Sequence, residues 1–372
     1  MPLSLVRLSA ILLLAAAGVY SVRTIFFSLP QGTPAWRYYA AMASDDSSRP
    51  LILYGGAGLA QAGSRRDLFD TWVRQGEQWH QHIQDGGPRL FYPLMTFDQH
   101  RQQVVLIGST ETDRIGTRGN PVLSQTWVWD RGLLGDGSWR QLHPETSPTN
   151  LELGSTVAYD SVRGGIFLLA DTVLQDLDHL TTPGYGGGYV VGHELWSWDG
   201  QTWTETPDNG PISDPRPYRV VSAPDGGVLG IGLQPDPKSS GQVDGALYRW
   251  TGSRWQPLVV DGTPGTITGL ALDAKRHQLV AIGGKYASNP DGAPASASTY
   301  VFNGTTWSSR SLPAALQGRV NMEVAWYGAP SSVALFGGAS GCGGWGCGPK
   351  GQQMFRETWY WNGDSWHLAS GG

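Results

Sequence analysis

The sequence predicts an all-β fold, a six-bladed β-propeller whose blades are four-stranded antiparallel sheets. Three observations lead there. A short apolar strand ending in glycine or another small residue recurs six times, at 51–56 (LILYGG), 104–108 (VVLIG), 166–170 (IFLLA), 228–232 (VLGIG), 279–284 (LVAIGG) and 333–338 (VALFGG). A tryptophan closes each repeat, at Trp79, Trp139, Trp203, Trp255, Trp307 and Trp366. The composition suits short strands and tight turns: 52 Gly and 17 Trp in 372 residues, with only 15% charged against about 25% in ordinary domains. Four strand-like segments in each long, regular period are the mark of a propeller.

Each element of the repeat has a local reason. The first strand ends near an aspartate, in Asp98-Gln-His-Arg101, Asp160-Ser-Val-Arg163 and Asp273-Ala-Lys-Arg276, where Asp caps its own turn through a side-chain hydrogen bond. The second strand is the apolar run. A variable loop follows, and then an aromatic third strand. Asp199-Gly200, Thr251-Gly252, Asn303-Gly304 and Asn362-Gly363 connect third to fourth strands and suit the positive φ of type I′ hairpin turns. The closing tryptophans are expected between blades, because one sheet cannot bury both of its faces alone. Each repeat carries all four strands, so the ring is expected to close without a strand borrowed from the other terminus.

Residues 1–30 read differently. Arg7 precedes an apolar run, 8–20, shorter than the roughly 20 residues that span a bilayer. With Arg7 before it and small residues at Ala15 and Ala17, this run reads as a signal peptide. Continued through Ile25 to Leu29 it becomes long enough for a membrane anchor, although Arg23 lies inside. Both readings place 31–372, the propeller, outside the cytoplasm, secreted or periplasmic, with membrane contact only through 8–29. A net charge of −5 and no basic stripe argue against nucleic acid as a partner.

The repeat resembles the kelch repeat of the galactose-oxidase-like superfamily. The resemblance is carried by Gly55-Gly56, Gly283-Gly284 and Gly337-Gly338 after the second strand, and by Trp196-Ser-Trp198-Asp-Gly-Gln-Thr-Trp203 and Trp359-Tyr-Trp361-Asn-Gly-Asp-Ser-Trp366. It covers 38–368. The second, third and fourth repeats depart from the doublet, with Gly108-Ser109, Ala170-Asp171 and Gly232-Leu233. It implies one four-stranded sheet per blade and leaves function open, since kelch propellers serve as protein-binding modules, carbohydrate-active enzymes and oxidases.

The loops between second and third strands, at 57–70, 109–125, 171–194, 233–246, 285–298 and 339–357, share one face and carry the variation, so a site is expected there. Counting back nine positions from the end of the first strand gives Arg37, Arg89, Arg216 and Arg319 in four of the six repeats. Two outcomes are open: a converging cluster that binds a carboxylate, phosphate or sulfate, or braces that bond neighbouring carbonyls. Tyr185, Tyr189 and Trp345 would supply aromatic ligand contacts. Cys342 and Cys347 flank three glycines in one loop and suggest a disulfide in an exported chain; two thiolates fall short of a zinc site, and no metal or other cofactor is expected. No nucleophile elbow, HExxH motif or phosphate loop is present. The expected role is therefore a non-catalytic module that binds a protein segment or glycan, partly anionic, through the variable face. The alternative is a carbohydrate-active enzyme at the channel mouth, with Glu152, His179 or His193 as its acid or base.

Overall fold

The computed structural model describes residues 31–44, 50–59, 65–110, 122–131, 137–149, 151, 154–175, 189–207, 217–235, 242–286, 294–340 and 353–369. The chain forms six antiparallel sheets in a ring. Blade 1 comprises Ala41–Ala43, Leu51–Tyr54, Thr71–Gln75 and Gln78–His82, with Gln31–Gly32 added outside the last of these. Blade 2 runs through Phe91–Asp98, Gln103–Ser109, Ser124–Asp130 and Ser138–Leu142; blade 3 through Thr156–Asp160, Gly165–Gln175, Tyr189–Trp198 and Trp203–Glu205. Blade 4 is Pro217–Ser222, Val228–Pro235, Gln242–Trp250 and Trp255–Leu258; blade 5 is Thr266–Asp273, Gln278–Tyr286, Pro294–Phe302 and Trp307–Arg310. Blade 6 is Glu323–Tyr327, Ser332–Phe336, Thr358–Trp361 and Trp366–Leu368. The one short helix among the described residues is a 3₁₀ turn, Ala314–Leu316.

The first strand of each blade is innermost and touches the first strands on both sides, closing a circle around a central channel. The second strands are apolar throughout because both faces meet other blades: Leu51, Leu53, Leu106, Leu168, Val228, Leu279 and Val333 are all buried. The closing tryptophans pin the blades together. The indole N–H of Trp139 donates to Thr71 Oγ1 (2.9 Å), Trp203 to Thr126 (2.9 Å), Trp366 to Thr299 (3.0 Å) and Trp79 to Thr358 (2.9 Å). The last of these joins blade 1 to blade 6. Arg74 Nε donates to Tyr360 Oη (2.5 Å) and Tyr327 Oη to the Arg74 carbonyl (3.2 Å) across the same seam. The ring thus closes with every blade built from consecutive sequence.

On one face the Asp-x-x-Arg turns behave as their sequence requires. Asp98 Oδ1 accepts the amides of His100 and Arg101 (both 3.1 Å), and its Oδ2 accepts from Arg101 Nη1 (2.9 Å). Asp160 and Asp273 repeat the arrangement with Arg163 and Arg276. Each of these arginines lies against the hairpin glycine of the following blade. A Cβ on Gly200 would fall 1.8 Å from Arg101 Nε, one on Gly252 2.6 Å from Arg163 Nη2, and one on Gly363 2.3 Å from Arg276 Nε. The hairpins differ from the expected type I′ turns. Trp198 pairs with Trp203, leaving a four-residue loop in which Gly200 alone has positive φ and Asp199 Oδ1 accepts the amides of Gln201 and Thr202 (both 2.8 Å). Side-chain capping by Asp or Asn replaces the second positive φ.

Candidate functional site at the channel mouth

Pairing with the second strands sets one residue of every blade at the same height on the channel wall. Ala41 lies opposite Tyr54, Leu94 opposite Ile107, Thr156 opposite Leu169, Arg219 opposite Ile231, Gly269 opposite Ile282 and Glu323 opposite Phe336. Four of these six are small or uncharged; Arg219 and Glu323 carry the only charges. They sit two blades apart, with Gly269 between them contributing no side chain. A Cβ at Gly269 would meet Val324 Cγ2 at 2.8 Å.

This tier opens into a cavity of about 390 Å³ on the variable-loop face, lined from all six blades and including Tyr39, Tyr92, Ser155, Tyr218 and Asn321. Tyr39, Tyr92 and Asn321 take left-handed backbone conformations, with φ of 55°, 49° and 55°, which non-glycine residues adopt at some cost. They occupy one position in blades 1, 2 and 6. The glycines Gly56, Gly108 and Gly338 lie directly behind it, where a Cβ would stand 2.8 to 2.9 Å from the carbonyls of Tyr38, Phe91 and Val320. Below the charged tier the channel narrows to a cavity of about 150 Å³ among Ala43, Thr96, Ala158, Val221, Ala271 and Ala325. It widens to about 480 Å³ at the Asp-x-x-Arg face.

The electrostatics of the mouth rest on Glu323. Its side chain lines the channel space and is partly buried. Burial raises its pKa to about 8, and the charge of Arg219, acting the other way, offsets only part of that. A carboxyl held protonated at neutral pH and facing a cavity is a feature of functional sites. Arg219 then stands as the net positive charge of the tier. Among the described residues lining the channel, Glu323 is the only carboxyl group.

The arginines singled out by spacing have another place. Arg37 is buried: its Nε donates to the Ala35 carbonyl (3.0 Å), Nη1 to the Gly55 carbonyl (2.9 Å), and Nη1 and Nη2 grip the Asp70 carboxylate at 2.7 and 2.9 Å. Burial alone would raise the Asp70 pKa, but the hydrogen bonds and charge of Arg37, with the Trp72 N–H, prevail and hold it below the ordinary value. Arg319 repeats this in blade 6, donating to the carbonyls of Ala315 (2.9 Å) and Gly337 (3.2 Å), pairing with Glu357 (3.2 Å) and stacking on Phe355. Both guanidiniums are held inside their blades by acceptors supplied by the protein. Arg89 is exposed, 4.5 Å over the Phe69 ring. Its blade has one glycine where blades 1 and 6 have two, so Leu90, buried, takes the place of Arg37 and Arg89 turns outward. The described members of the quartet, Arg37, Arg89 and Arg319, are absent from the mouth lining, and Arg37 and Arg319 are bonded within their own blades. Arg216, Tyr185, Trp345, Cys342, Cys347, Glu152 and His179 lie outside the described residues. Tyr189 pairs with Gln175, and His193 with Asp171, in the extended hairpin of blade 3.

No family model matches the chain, and no curated protein matches it. Among solved structures it is similar to that described as "Structure of YjhT", at 14% identity over 94% of this chain and 99% of that one, with a TM-score of 0.53. It is also similar to the α-L-arabinofuranosidase Arb93A from Fusarium graminearum in complex with an iminosugar inhibitor, at 12% identity over 88% and 95% of the two chains, with a TM-score of 0.52. At these identities the likeness is one of fold alone.

Proposed function

We propose that this chain is an exported propeller of kelch type that binds a small, sugar-like ligand in the channel mouth without converting it. One observation carries this: six blades jointly build a cavity of about 390 Å³, in the size range of small-molecule sites, and line it with tyrosines, hydroxyls, an amide and two ionisable groups. Aromatic rings pack against the C–H faces of a sugar while polar neighbours take its hydroxyls. Export is proposed from the apolar run 8–20 alone; no helix among the described residues is long and apolar enough to cross a membrane.

The test is a glycan and peptide array, followed by turnover assays on each hit. Sugars are expected to be captured and recovered unchanged. Thr156→Tyr, which fills the mouth from blade 3, is expected to abolish capture with the circular dichroism spectrum intact. Capture that survives this change would move the site to the loops. A second reading, a carbohydrate-active enzyme at the same mouth, is favoured by Glu323, whose raised pKa suits a general acid. Against hydrolysis of the usual kind, which needs two carboxyl groups, stands the single carboxyl of the described lining. Turnover lost in Glu323→Gln would establish the enzyme.

A further inference from the structure

We propose that Arg219 and Glu323 form a carboxylate receptor, in which Glu323 donates its carboxyl proton to one oxygen of an acidic sugar and Arg219 donates to the other. The proposal rests on the mouth being a sugar site, and names the class of sugar. The geometry supports it in three ways. The two residues share one tier by strand register. The intervening blade has Gly269 at that register position and lines the mouth with the uncharged Leu270, so no charged group stands between them. Glu323 meets Arg219 only through the longer-range attraction of its charge, with no hydrogen bond among the influences on its carboxyl, which leaves both groups available to a third.

The chemistry selects the ligand. A neutral carboxyl beside a guanidinium presents donors and a net positive charge, which suits an anion with two acceptor oxygens. An ammonium group would find no counter-charge until Glu323 ionised, and then only beside Arg219. The titratable groups facing Glu323 across the mouth are Tyr39 from blade 1, Tyr92 from blade 2, and Tyr218 and Arg219 from blade 4. Blades 3 and 5 contribute Ser155, Thr156 and Leu270, which do not titrate. Tyrosines ordinarily ionise at about pH 10, so between pH 6 and 8.5 the group whose charge changes is Glu323, and ionisation removes the donor and introduces repulsion together.

Titrations of the full chain with glucuronate, glucose and glucosamine at pH 6.5 and 8.5, followed by ligand-observed NMR, test this. Glucuronate is expected to bind best, and to weaken about fourfold over that interval if only the protonated form binds, as follows from a pKa of about 8. Glu323→Gln, which keeps a neutral donor, is expected to bind glucuronate at both pH values alike. Arg219→Gln is expected to weaken it at least about tenfold at both. Glucose bound as well as glucuronate would refute the carboxylate receptor while leaving the sugar site standing; no binding of any of the three would remove both. Affinity for glucuronate that is flat or rises with pH, or is lost in folded Glu323→Gln, would also overturn the proposal.

Discussion

Replacing Thr358 with valine removes one oxygen from the seam where the ring closes. Trp79 donates to it at 2.9 Å, and both side chains are buried. Threonine holds the same place, three residues before the partner of the closing tryptophan, in blades 1, 2, 5 and 6, and its hydroxyl accepts the indole of the next blade each time. Blades 3 and 4 have Leu195 and Leu247 there. The consequence is visible in blade 5, whose Trp307 N–H is buried with no partner. Valine keeps the shape of threonine, so the change creates no cavity and reports the lost acceptor. An unpaired buried N–H costs about 1–3 kcal/mol, and 2 kcal/mol in a chain of this size lowers the melting temperature by about 3 °C. Urea midpoints of Thr358→Val, Trp79→Phe and the double variant measure the coupling. In the wild-type background Thr358→Val should cost at least about 1 kcal/mol, and with phenylalanine at 79 less than about 0.5 kcal/mol. An equal cost in both backgrounds would refute the clasp.

Three further outcomes follow from the same contacts. Arg37→Met strands Asp70 and should destabilise by about 3 kcal/mol at neutral pH; because the Asp70 pKa is depressed in the fold, the pair's contribution is complete above about pH 4 and fades as the solution is acidified through the folded value, so the gap from wild type should narrow in acid melts. Gly304→Ala, at φ 102° with open space around it, should cost about 1–2 kcal/mol, whereas Gly200→Ala, at φ 100° against Arg101, should cost more, with the excess vanishing in an Arg101→Ala background. Glu323 has a raised folded pKa, so the folded state holds its proton more tightly than the unfolded chain; stability should fall as pH rises from 4.5 to about 8 and then level off. In Glu323→Gln that fall should shrink by something on the order of 2 kcal/mol, after allowance for channel water, and an unchanged slope in melts at pH 5, 7 and 9 would contradict the raised pKa.

Much of the propeller was legible because its signals are local. Gly-containing hairpins, Asp-x-x-Arg turns and a tryptophan per repeat are fixed by backbone conformation and inter-blade packing within a few residues of each other. The channel site was not legible in the same way. Counting nine positions from the Asp turn assumes equal spacing in every blade, and the single Gly108 in blade 2 breaks that assumption, setting Leu90 where Arg37 stands in blade 1. The glycines behind the mouth are the better anchor. Aligned from them, Arg219 and Glu323 fall at a height held elsewhere by Ala41, Leu94, Thr156 and Gly269, and two charges in that company would have marked the site. That blades 4 and 6 both face one mouth depends on ring closure, which no local pattern encodes. The partners of Arg37 and Arg319, Asp70 and Glu357, likewise lie 33 and 38 positions further along the chain, beyond any local pattern.

Where a sugar sits in the propeller decides between these readings. A crystal structure of the full chain soaked with glucuronate at pH 6.5 measures this. It should show the sugar in the mouth among Tyr39, Tyr92 and Tyr218, with its carboxylate between Arg219 and Glu323. A sugar ordered only on the outer loops or at the Asp-x-x-Arg face, with the charged tier unengaged, would contradict it.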